Sequence, residues 1–105
     1  MKTKEIRIEN QQELDALDIN FKGKIFIVGT LDRIDKAYPN AEVHICEKAQ
    51  IRNVYGSAQI RNVYGSAQIS YVSGSAQISD VYGSAQIRNV YGSAQISDVS
   101  GSAQI

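Results

Sequence analysis

Tryptophan is absent from this 105-residue chain, and proline, cysteine and methionine occur once each. The single cysteine, Cys46, excludes an intramolecular disulfide and a cysteine metal cluster, and it fits a reducing compartment. Charge of either sign is not in excess: 11 basic residues match 11 acidic ones, so nothing in the net charge draws the chain to a polyanion. No apolar run approaches the ~18–20 residues that cross a bilayer. The opening Met1-Lys2-Thr3-Lys4-Glu5-Ile6 lacks the apolar core of a secretory leader. These absences give the expectation of a cytoplasmic protein, not secreted and with no membrane partner. Its length allows one small domain with a thin core.

Charge is also unevenly placed. Residues 1–48 hold 8 Lys/Arg and 9 Asp/Glu, whereas residues 49–105 hold 3 Arg and 2 Asp. This divides the chain into a capping segment, 1–44, and a nearly neutral array, 45–105. In the cap, Lys4–Glu9 alternates and predicts a strand with Ile6 and Ile8 on one face. Asn10 reads as a helix N-cap with Glu13 completing a capping box, which predicts a helix over 11–17 carrying Leu14 and Leu17. Gly23 marks a turn. Ile25-Phe26-Ile27-Val28 predicts a strand buried on both faces. The polar stretch with Asp32, Arg33, Asp35, Lys36 and Pro39 reads as loop, and Glu42–Ile45 resumes alternation. The segment as a whole is expected to cover one end of the array, as repeat arrays require.

The array is one phrase repeated. Gly-Ser-Ala-Gln-Ile begins at 56, 65, 74, 83, 92 and 101, a period of nine without exception. Val63, Gly65, Ala67 and Ile69 alternate with Tyr64, Ser66 and Gln68, which predicts a seven-residue half-buried strand with the apolar and small residues inward. The pairs Arg52-Asn53, Arg61-Asn62, Ser70-Tyr71, Ser79-Asp80, Arg88-Asn89 and Ser97-Asp98 then fall at two-residue corners. A degenerate seventh copy, Ile45-Cys46-Glu47-Lys48-Ala49-Gln50-Ile51, precedes them, and Ile27–Leu31 sits 18 residues further upstream in a similar frame.

Two folds satisfy this pattern. The favoured one is a flattened two-sheet β-solenoid of about 18 residues per turn with a small α+β N-terminal cap, because the small residues at mid-strand let two sheets press close. The alternative is an antiparallel β-meander. It would need Gly in its two-residue hairpin turns, and none of the six pairs contains one.

The phrase, over residues 45–105, resembles the GNARV-type β-solenoid repeats of bacteria and phages, in a nonapeptide variant. The resemblance implies a fold rather than an activity, and a bacterial cell or phage-infected host as the setting. The calcium-binding nonapeptide roll requires Gly-Gly-x-Gly-x-Asp, which this array lacks; its aspartates are Asp80 and Asp98.

Stacked coils would present ladders of Gln and Ser. Tyr55 and Tyr91 would share one face, with Ser73 between, and Tyr64 and Tyr82 the other. Arg52, Tyr71 and Arg88 would line one edge, and Arg61, Asp80 and Asp98 the other. Tyr55, Tyr64, Tyr71, Tyr82, Tyr91, Arg52, Arg61 and Arg88 are the candidate partner-binding residues, by virtue of exposed aromatic and guanidinium groups. Three arginines are too few for binding by counterion release. His44 alternates onto a solvent face beside no nucleophile, and Cys46 takes the outward Tyr position. No phosphate loop, metal-ligand cluster or carboxylate pair of defined spacing occurs, so no enzyme, metal or cofactor is expected. Ile105 ends a complete strand, which predicts a homodimer through residues 90–105, with Val90, Ile96, Val99, Ala103 and Ile105 at its interface. The function expected is therefore a non-catalytic protein-binding solenoid, with a phage or mobile-element inhibitor of a CRISPR-type host defence protein as its narrower form. A structural assembly element is the alternative, and an ice- or carbohydrate-binding surface a second.

Overall fold

A computed structural model describes residues 4–105; Met1, Lys2 and Thr3, part of the stretch read for a leader, lie outside the described residues. Strand β1 (Glu5–Asn10) leads directly into a short helix, α1 (Gln11–Asp15), and then a 12-residue strand, β2 (Gly23–Ile34). Seven five-residue strands follow: β3 (Ala41–Ile45), β4 (Gln50–Val54), β5 (Gln59–Val63), β6 (Gln68–Val72), β7 (Gln77–Val81), β8 (Gln86–Val90) and β9 (Gln95–Val99). Each of β3 to β7 pairs with the strand two places along, in parallel, as in Gln50↔Gln68 and Gln59↔Gln77, a step of 18 residues. That is a solenoid of two strands per coil, and it overturns the meander, whose neighbours in sequence would pair antiparallel. Strands β8, β6 and β4 form one flank and β3, β5, β7 and β9 the other.

The array's phase differs from the alternation reading. The strand is Gln-Ile-x-x-Val, with the Arg-Asn pair in its middle, and the corner is Tyr-Gly-Ser-Ala. Ala58 N donates to Tyr55 O at 3.3 Å across the corner, and Gly56 has φ of 65°. A left-handed φ at the first central turn position is one that glycine adopts without the Cβ penalty. Gly56 is therefore exposed at a bend, and not a small core residue. The inward set is Ile51, Val54 and Ala58, each 1% exposed or less, and it recurs as Ile60, Val63 and Ala67. Ile51 and Val54 both face inward although two residues part them, and the ladder runs from Leu31↔Ile51 to Arg33↔Asn53 without a rung between Asp32 and Arg52. Each buried isoleucine contributes about 1.5–3 kcal/mol of apolar transfer. Corners stack as strands do: Ser75 N donates to Gly56 O at 3.1 Å and Ser84 N to Gly65 O at 2.9 Å. In the degenerate copy, Glu47 occupies the glycine place with φ of 57°.

The cap is built into the same sheet. Residues Gly23–Ile27 of β2 pair with β3 and Thr30–Ile34 with β4, so one strand crosses between the flanks. This corrects the loop reading of Asp32 and Arg33, which lie within β2. Their backbone N–H groups both donate to Gln11 Oε1, at 2.9 and 2.8 Å, so the helix start satisfies the exposed edge of β2. Asn10 caps α1 by accepting from Glu13 N at 2.9 Å, while the Glu13 carboxylate accepts from Glu9 N at 2.8 Å, one residue before the capping-box target. The helix stops at Asp15, short of the predicted 17, with Leu14 buried. Ile25 and Ile27 are fully buried, but Phe26 and Val28 are half-buried on the outer face, so this run too is one-sided.

Candidate functional site

The outer face of the β3 flank carries one continuous row across the sheet. Arg7 registers with Phe26, Phe26 with His44, His44 with Asn62, Asn62 with Asp80 and Asp80 with Asp98. His44 does point outward, yet it is 7% exposed, which corrects its reading as a surface histidine. Phe26 stacks on its ring at 5.1 Å between centroids and 19° between planes. Asn62 Nδ2 donates to His44 Nδ1 at 2.9 Å, which assigns the ring proton to Nε2, 3.3 Å from the Glu42 carboxylate. Every polar atom of the ring is thus engaged, and the network ties β3 to β5.

A second row runs along the corners of this flank. Tyr64 and Tyr82 stack with centroids 5.1 Å apart and planes 2° from parallel. Cys46, one coil nearer the cap, holds the tyrosine place; it is buried, with Sγ 3.9 Å from Ile27 O. Burial pushes its thiol pKa up, partly offset by a hydrogen bond with Tyr64, so the thiolate needed for nucleophilic chemistry is disfavoured. On the opposite corners, Tyr55 and Tyr91 lie two coils apart with Ser73 between and form no stack.

Tyr71 does not share a line with Arg52 and Arg88. It registers with Asn53 and Asn89, one place along from the arginines, because the variable pair is mid-strand and its two members separate into different rows. For the same reason Asp80 and Asp98 line up with Asn62 and not with Arg61. The nearest acid to Arg52 is Asp32, at 3.9 Å, an exposed pair worth little. The candidate residues therefore divide among the outer faces of both flanks and both columns of corners, and Tyr64 and Tyr82 are the pair among them that stacks.

Burial pushes the Tyr64 hydroxyl up to about 12, with Cys46, Tyr82 and Glu47 adding in the same direction. A pKa above the ordinary 10.0 means the folded state holds the proton more tightly. That stability is fully present below pH 10.0 and is lost as pH rises from there toward about 12. Cys46 and Tyr38, raised chiefly by burial, work in the same sense. Urea midpoints measured at neutral and strongly alkaline pH should show the decline, and Tyr64→Phe should make it shallower. An equal slope in Tyr64→Phe would refute the assignment.

The coil made by β8 and β9 differs from the others. Val54, Val63, Val72 and Val81 are 0% exposed, whereas Val90 is 37%, Val99 47% and Ile105 53% exposed. Ile96 and Ala103 are partly buried against the core. Gln104 bridges to Gln86, with Ile87 N donating to Gln104 O at 2.8 Å, which leaves the rest of β8 open in the 105-residue chain.

Among the described residues no group of three or more His, Cys, Asp and Glu side chains is placed to hold a metal, and no helix is long and apolar enough to cross a membrane. The signal missed in the sequence was the position of Glu47, which stands where every later copy has glycine. Compared with protein-family models, curated proteins and solved structures, the chain matches none.

Proposed function

We propose that this chain is a non-catalytic protein-binding β-solenoid that forms a homodimer through the coil of β8 and β9. The observation that carries the reading is the exposure of Val90, Val99 and Ile105 at positions whose counterparts are fully buried one coil earlier. A two-fold axis through this coil sets the same apolar residues of two copies against each other and pairs their strand edges. The opposite end is closed in part: β1 pairs with β2 alone among the described strands, and the far half of the β2 edge is covered. There, Gln11 already takes the N–H groups of Asp32 and Arg33, and α1 lies over the sheet.

Partner binding in this reading uses the rigid outer faces, with the Tyr64–Tyr82 stack as the aromatic centre. The narrower form, an inhibitor of a CRISPR-type host defence protein made by a phage or mobile element, takes only its setting from the GNARV-like phrase, which carries a fold and not an activity. Retrieval of such a protein from host lysate by the wild type and not by Tyr64→Ala/Tyr82→Ala supports it. Light scattering of the 105-residue chain tests the dimer. Twice the 11.5 kDa chain mass is expected. Val99→Asp, at a half-exposed position, should return the monomer with its fold intact. A wild-type monomer at micromolar concentration would overturn the dimer and leave the partner surface to be judged by the lysate experiment.

A further inference from the structure

The corner column on the β3 flank begins one coil later than the strands do. Ser66 N donates to Glu47 O at 2.8 Å, Ser84 N to Gly65 O at 2.9 Å and Ser102 N to Gly83 O at 2.9 Å, so the corners of residues 47, 65, 83 and 101 stack in register. Among the described residues no corner lies above Glu47, because β2 crosses the place where one would be. The step leaves a groove lined by Glu5, Arg7, Phe26, Cys46, Glu47 and Tyr64.

This groove is where the tyrosine ladder would continue. Tyr82 and Tyr64 are stacked and parallel, and the next place toward the cap belongs to Cys46, whose small side chain is buried against Ile27. The ladder stops one ring short, and the space for that ring is bounded by the side chains of Tyr64 and Phe26. The lining carries two carboxylates, Glu5 and Glu47, and one guanidinium, Arg7. Arg7 reaches Glu47 at 3.2 Å, but both side chains are more than half exposed, 61% and 56%, so this pair yields readily to a competitor. Aromatic side chains beneath an excess of negative charge attract a flat ring that carries positive charge.

We propose that the groove is a binding site for a small planar aromatic cation, which takes the missing place in the ladder over Tyr64 and pairs with Glu47. The site lies at the cap end, away from β8 and β9, so it stands or falls independently of the dimer.

Thioflavin T, a planar benzothiazolium cation that fluoresces when its rotation is blocked, is the probe. Wild-type protein should give a saturable fluorescence gain. Tyr64→Ala should weaken binding about tenfold, the loss of one desolvated cation–π contact. Tyr64→Phe should keep it, and Ser73→Ala, which alters a corner without a stack, should leave it unchanged. Cys46→Tyr fills the vacant place and should abolish binding, which provides a second reading should Tyr64→Ala fail to fold by circular dichroism. An absent saturable signal, equal losses in Tyr64→Ala and Ser73→Ala, or undiminished binding in a folded Cys46→Tyr protein would overturn the proposal.

Discussion

Gly29→Ala is expected to lower the unfolding free energy by about 3 kcal/mol or more. A Cβ at Gly29 would stand 2.0 Å from Glu9 O and 2.8 Å from Glu9 Cα. Both are backbone atoms, so no rotamer change relieves the contact. The reason for the close approach is the shape of β2. The β1–β2 register jumps between Ile8↔Ile27 and Asn10↔Thr30, and Gly29 lies inside that jump, where β2 passes from one flank to the other. Unlike Gly56, it is required for space alone and has no left-handed φ. Relief requires β1 to move off β2, which exposes Ile8 and Leu14, now 1% and 4% exposed, each worth about 1.5–3 kcal/mol of transfer. Chemical denaturation followed by circular dichroism reads the loss. Hydrogen exchange should place the damage in β1 and α1, with β4 to β7 still protected. A loss under about 1 kcal/mol would contradict the described packing of β1 on β2.

The repeat revealed the solenoid because its period fixes what stacks on what. Residues 18 apart fall in register whichever part of the phrase is strand, so the Tyr64–Tyr82 pair and the separation of Tyr55 from Tyr91 were readable directly. The phase was not, since Val-Tyr-Gly-Ser-Ala-Gln-Ile alternates equally well with Gly65 as a small inward residue. What distinguishes the two is backbone conformation: a tight turn selects glycine for φ near +69° at Gly65, and the Arg-Asn pair has nothing comparable to offer. That misplacement alone moved Tyr71 onto the arginine line. Asp32 and Arg33 were hidden for another reason. Polar residues end a strand in local reading, but here Gln11, more than twenty residues away, accepts both N–H groups. His44 was hidden likewise, since its cover comes from Phe26 and Asn62 on other strands.

Ile69→Ala should cost about 3–4 kcal/mol and Ile96→Ala about 1 kcal/mol, although the two residues occupy the same place in identical strand positions. Ile69 is 1% exposed and registers with Ile51 on one side and Ile87 on the other, so truncation leaves a void closed above and below by other coils. Ile96 registers with Ile78 alone, is only partly buried, and lies in the coil whose other apolar residues reach solvent. In a stack where each coil contacts only its neighbours, stability is a sum of coil and interface terms, and an end position loses one interface instead of two. Denaturation midpoints of the two variants test this directly. Equal losses at nanomolar protein, where association is negligible, would refute an open coil at β8–β9. The same comparison at high protein concentration bears on the dimer. If a second copy covers this coil, the penalty of Ile96→Ala grows with concentration while that of Ile69→Ala stays fixed, because only Ile96 gains a new neighbour on association.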